Sequence, residues 1–148
     1  MPESIEKKRL AGSENPTDRS PRCNLCGSNT FVEMGGRPAA RCAECGSLER
    51  TRLMYLFIRD LVRSPRTRTL HLAPERGLYT RLSKMLLDEF YTVADRFPDK
   101  FPFAKDVAEI DLCSLDTQPT NHYDLIIHSH VLEPVSYTHL TLPTIYSV

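Results

Sequence analysis

Cys23, Cys26, Cys42 and Cys45 form two CxxC pairs with fifteen residues between them, and Gly27 and Gly46 follow the second cysteine of each pair. The two-residue gap lets both thiolates of a pair reach one ion, and glycine lets the backbone turn its amides toward the sulfurs. The pattern therefore points to a four-cysteine site for Zn2+. A redox CxxC is the alternative, but that motif normally occurs once, beside a thioredoxin-like βαβ unit. Four thiolates leave no coordination position for water, so the expected zinc is structural and not the catalyst.

Other groups with chemical potential lie further along. Asp95 ends the apolar run YTVAD, where an acidic side chain can accept the hydroxyl hydrogens of a ribose. An Asp in that place also serves as a helix cap or turn residue. An unperturbed imidazole titrates near neutrality, which makes His71, His128 and His130 candidates for acid or base. A histidine at a strand end is also commonly satisfied by a local hydrogen bond, and no catalytic residue is assigned.

The elements that must position these groups change character along the chain. Residues 1–20 are rich in Glu, Lys, Ser, Asn and Pro without apolar periodicity, which predicts a disordered lead-in. Residues 21–47 predict a zinc ribbon, with a short β-hairpin around FVEM and a GGRP turn. Residues 48–64 predict a linking helix whose apolar stripe takes in Leu53, Met54, Leu56, Phe57, Ile58, Leu61 and Val62, ended by Ser64-Pro65. From there TRTLHLA, YTVAD, DVAEID and YDLIIHS read as strands, with a helix over 78–88, so a parallel α/β sheet is expected.

Bulk properties narrow the partners. The 148 residues carry nineteen basic and nineteen acidic side chains, so no global field draws the chain to nucleic acid or to an anionic membrane. Arg37, Arg41, Arg50 and Arg52 lie near the ribbon, but Glu44 and Glu49 dilute them. Nucleic acid is not the expected partner. No apolar run is long enough to span a membrane and the first residues lack a signal peptide's apolar core, so the cytoplasm is the expected location. Cys113 stands apart from the pairs and is expected to be a small buried hydrophobe.

RCAECGSLERTRL, LHLAPE, YTVAD, EIDLCSLD and YDLIIHSHVLE, in this order over about 110 residues, resemble a family of class I methyltransferases with an N-terminal zinc ribbon. The resemblance implies the first four strands of a Rossmann-like parallel sheet over 65–133 and S-adenosylmethionine as methyl donor. It implies that the turn from Ala73 to Gly77 faces the methionine end, with Glu75 near the donor's ammonium group. Asp95 would then meet the ribose and Asp111 with Leu112 the adenine, while His128 ends the fourth strand beneath the donor. The turn departs from the usual glycine-rich form, since Ala73-Pro74-Glu75-Arg76-Gly77 keeps only the last glycine. The methyl acceptor is not selected by any residue, though a small molecule or sugar suits the family.

Two other functions compete with this reading. One is a nucleic-acid-binding ribbon supported by the α/β part. The other is a nucleotide-dependent oxidoreductase, disfavoured because the turn after the first strand lacks GxGxxG. Residues 134–148 follow none of this logic: VSYTHLTLPT resembles one translated frame of a transposase-based sequencing adapter. A non-native tail is expected there, on an inactive fragment of a longer parent enzyme.

Overall fold

The computed structural model describes residues 20–115, 118–129 and 131. The expected lead-in up to residue 19, together with His130, Glu133 and the 134–148 tail, lies outside the described residues.

The ribbon is a hairpin of β1 (Phe31–Met34) and β2 (Arg37–Cys42), antiparallel with Phe31 opposite Cys42. Gly35 and Gly36 make its two-residue turn, both with positive φ (61° and 75°), the backbone that matches strand twist in a tight hairpin. The register shifts within the pair, and Ala39 in β2 sits at φ 53°.

Helix α1 (Glu49–Leu61) buries Thr51, Tyr55 and Ile58, one line at helical spacing. This corrects the broad stripe expected from the sequence: Leu53, Leu56, Phe57 and Leu61 are exposed. Arg52 sets the helix rotation. Its guanidinium donates to Ser47 O at 2.6 Å and Ala40 O at 3.2 Å, and it lies 4.9 Å from the centre of the Phe31 ring. In return Asn24 Nδ2 donates to Arg52 O at 2.8 Å.

Four parallel strands follow: β3 (Thr69–Leu72), β4 (Tyr91–Asp95), β5 (Ala108–Glu109) and β6 (Leu125–Ile127), ordered β5-β4-β3-β6. All four residues of β3 are buried, as a central parallel strand requires. Arg68 and Asp124 tie the starts of β3 and β6 through a bidentate pair at 2.7 and 3.1 Å. Helix α2 (Arg76–Leu82) joins β3 to β4. It starts earlier and stops earlier than the 78–88 expected. Ser83 Oγ bonds back to Tyr79 O, Met85 N bonds to Leu82 O with a tighter turn, and Leu87 N is taken by Pro65 O.

One core joins ribbon and sheet: Cys23, Leu25 and Cys42 pack with Tyr55, Ile58, Leu78, Leu82, Leu86 and Ile127. Leu78 and Leu82 are fully buried, each stabilising the fold by about 2 kcal/mol. A second cluster, Leu70, Leu72, Ala94 and Ile110, covers the other side of the strands. No helix among the described residues is long and apolar enough to cross a membrane.

Candidate metal centre and ligand cleft

The two cysteine pairs fold alike. Gly27 N donates to Cys23 O at 2.7 Å and Gly46 N to Cys42 O at 3.0 Å, with φ of 85° and 73° at the glycines. Each pair is closed by a serine carbonyl, Cys23 N donating to Ser28 O at 2.7 Å and Cys42 N to Ser47 O at 2.9 Å. The hairpin brings the knuckles together so that all four sulfurs lie within 4.8 Å of one another. Cys23 Sγ is 3.6 Å from Cys45 Sγ, and Cys26 Sγ is 3.6 Å from Cys42 Sγ. Sulfurs at about 2.3 Å from a tetrahedral zinc are about 3.8 Å apart, so the donor set fits such an ion. The four cysteines are positioned to bind a metal.

Ser47, 2% exposed, completes the centre. Its Oγ lies 3.1 Å from Cys45 Sγ and 3.4 Å from Cys23 Sγ. The sequence signal for it is the repeat CxxCGS, of which the spacing argument uses only the glycine. Burial pushes the Cys23 thiol up, but bonds from Ser47 and from the Cys26 and Leu25 amides outweigh it and hold Cys23 at about 6. Cys26 is pushed up to about 12 by desolvation of its sulfur, the neighbouring thiols adding to it. Metal binding therefore has to displace protons from part of the cluster. Beside Cys23, Cys26 and Cys45 a hollow of about 550 Å³ is edged by Arg76, Arg81 and Lys84.

A second cleft of about 470 Å³ opens at the carboxyl ends of β3, β4 and β5. Ala73, Asp95, Asp111 and Leu112 meet here, with apolar walls from Leu72 and Ile110. Both carboxylates hold turns: Asp95 Oδ1 accepts from Phe97 N at 2.8 Å and Asp111 Oδ1 from Cys113 N at 2.9 Å. Asp111 Oδ2 lies 3.5 Å from Arg96 Nε, whereas Asp95 Oδ2 has no hydrogen-bond partner among the described residues. Ala73 holds φ 47°, a left-handed backbone unusual for alanine, and its N–H donates to Ala94 O at 3.0 Å.

The other anticipated residues are elsewhere. Glu75 turns toward α1, accepting from Thr51 Oγ1 and pairing with Arg50 Nε at 3.4 Å. Gly77 is buried against the second knuckle, and a Cβ there would stand 3.2 Å from both the carbonyl oxygen and the sulfur of Cys45. His128 is exposed just past β6 and does not line the cleft. His71 is buried inside β3, not at a strand end, and bonds to Tyr91 Oη. Cys113 is exposed, correcting its expected burial, because the Asp111 turn holds it at the cleft rim. Arg96, Phe97, Lys100 and Phe101 line the cleft and were not anticipated; their signal is the mix of cations and aromatics in RFPDKF.

Comparison with protein-family models, with curated proteins and with solved structures finds no match to this chain.

Proposed function

We propose that this chain carries the donor-binding residues of an S-adenosylmethionine-dependent methyltransferase, with Zn2+ as the structural ion of its ribbon. The observation that carries the reading is the pair Asp95 and Asp111, set on one apolar cleft at the carboxyl ends of neighbouring parallel strands. In chain order the sheet runs third, second, first, fourth. That is the order of the first half of a Rossmann-like doubly wound sheet, where ligands sit outside the strand carboxyl ends.

In this reading Asp95 takes the ribose through the carboxylate oxygen its turn leaves unused. Leu112 and Ile110 flank the adenine. Asp111 accepts the exocyclic amine when Arg96 gives up its long contact. The backbone at Ala73 faces the methionine end, and Glu75, engaged by α1, holds the turn rather than touching the ligand. Methyl transfer from a sulfonium is an in-line displacement in which positioning supplies much of the acceleration, so no side chain needs to be a dedicated base. The acceptor class stays that of a small molecule or sugar.

Calorimetric titration of the zinc-loaded chain with S-adenosylhomocysteine tests the reading. Asp95→Asn keeps an acceptor for the Phe97 amide and loses the charge. Saturable binding that weakens at least about tenfold in Asp95→Asn, with zinc content unchanged, is expected for loss of a charge-assisted bond. A folded, zinc-loaded chain that takes up no adenosine compound overturns it.

A further inference from the structure

The turn from β3 into α2 is held from the ribbon side at two points. Glu75 accepts from the buried hydroxyl of Thr51, in the first turn of α1, and pairs with Arg50. Two residues on, Gly77 lies so close to Cys45 and Ser47 that a Cβ would be 3.2 to 3.3 Å from their atoms. The other end of the turn is Ala73, in the cleft and held by Ala94. Only Pro74, Glu75 and Arg76 separate Ala73 from Gly77, and proline removes one of the soft torsions. A shift of the second knuckle therefore reaches the cleft wall with little slack.

Charge acts in the same direction. A divalent metal held by four thiolates bears net negative charge, and local ion charge dominates such sites. Arg76, Arg81 and Lys84 of the α2 segment edge the hollow beside Cys23, Cys26 and Cys45, with Glu44 as the acidic side chain there. Arg81 is oriented by Tyr55, whose hydroxyl accepts from its Nε at 2.8 Å. A bound metal would therefore place a negative centre beside the cations of this segment.

We infer that the second knuckle is a positioning element for the cleft: Cys45 to Ser47 and Thr51 mould the β3–α2 turn through Gly77 and Glu75, so that metal occupancy and ligand affinity are coupled. The identity of the ligand rests on the methyl-donor reading; the coupling does not. Linkage makes the effect reciprocal, so ligand must tighten metal by the factor by which metal tightens ligand.

The experiment measures Zn2+ affinity by competition with a chelating dye, with and without saturating S-adenosylhomocysteine, and ligand affinity in zinc-loaded variants. Ligand is expected to tighten zinc by about tenfold. Gly77→Ala and Thr51→Val are expected to weaken the ligand by about tenfold with zinc still bound, and Thr51→Ser to restore it. Hydrogen exchange provides an arm that needs no ligand. In zinc-loaded Gly77→Ala, amides at 75–77 and 73 should exchange faster while those of β4 and β6 do not. Ligand binding with zinc affinity indifferent to it overturns the coupling and leaves the donor reading standing. Absence of ligand binding removes both the donor reading and the coupling to that ligand, and the exchange pattern then decides the positioning role alone: faster exchange confined to the turn upholds the knuckle as the element that holds it, and unchanged or sheet-wide faster exchange overturns it.

Discussion

His71 Nδ1 and Tyr91 Oη lie 2.7 Å apart across the neighbouring strands β3 and β4, with their rings stacked at 6.1 Å between centroids. The pair sits on the face that packs beneath α2, where Tyr79 stacks on Tyr91 in turn. Burial pushes His71 down to about 4 and Tyr91 upward, so both are neutral at physiological pH. An imidazole so enclosed serves the fold as the hydrogen-bond partner of Tyr91 between two strands.

Acid should therefore weaken the fold through His71. Its folded pKa of about 4 lies below the usual 6.5, so the unfolded chain takes the proton first. The stabilising contribution is complete above pH 6.5 and is lost as pH falls toward 4, on the order of 3 kcal/mol in all. Urea denaturation of the zinc-loaded protein at pH 7 and pH 5 checks it. In His71→Gln the difference between the two pH values should shrink by about 2 kcal/mol. An unaltered pH dependence would count against the assignment.

Ser47 should matter to the metal centre and Ser28 should not, although both follow a CxxCG. Ser47 Oγ touches two sulfurs, whereas Ser28 Oγ accepts from Thr30 N at 3.1 Å and faces solvent. Ser47→Ala is expected to weaken zinc about tenfold or more, the usual cost of losing a group that orients the ligands. Ser28→Ala should stay near wild type. Dye competition on both variants measures this, and equal affinities would remove Ser47 from the centre.

Ala73 should discriminate between substitutions by backbone preference. At φ 47°, glycine relieves strain but adds chain entropy in the unfolded state, so Ala73→Gly should alter stability by less than about 1 kcal/mol. Ala73→Val, branched at Cβ, should cost about 2 kcal/mol. Thermal and urea melts of the zinc-loaded variants give both numbers. A valine variant as stable as wild type would mean that the turn does not hold this conformation in solution.

Much of the chemistry was local and hence legible in the sequence. Two cysteines two residues apart with a following glycine can scarcely avoid facing one another, and the GG turn between FVEM and RPAARC aligns the pairs. The runs TLHL and YTVAD form strands because their buried, β-prone side chains need two covered faces. The runs YTVAD and DVAEID put Asp95 and Asp111 at or just past strands by the same reasoning, and the turn-holding role that an Asp in such a place can take is present at both.

The rest depended on partners distant in the chain. The family resemblance implies Glu75 as a cleft residue, but Thr51, twenty-four positions earlier, offers a buried hydroxyl and Arg50 a cation, and the carboxylate goes to them. Helix α1 has apolar residues around most of its circumference, so periodicity alone could not choose its buried face. Arg52, bonded to Ser47 and Ala40 of the ribbon, made that choice and left Leu53 and Phe57 exposed. The sequence by itself determined which atoms can hold a metal and which segments extend into strands, because spacing and side-chain shape act over a few residues. Only the tertiary structure decided where Glu75, Gly77 and the face of α1 point, because those choices compare contacts that exist only after ribbon, helices and sheet have met.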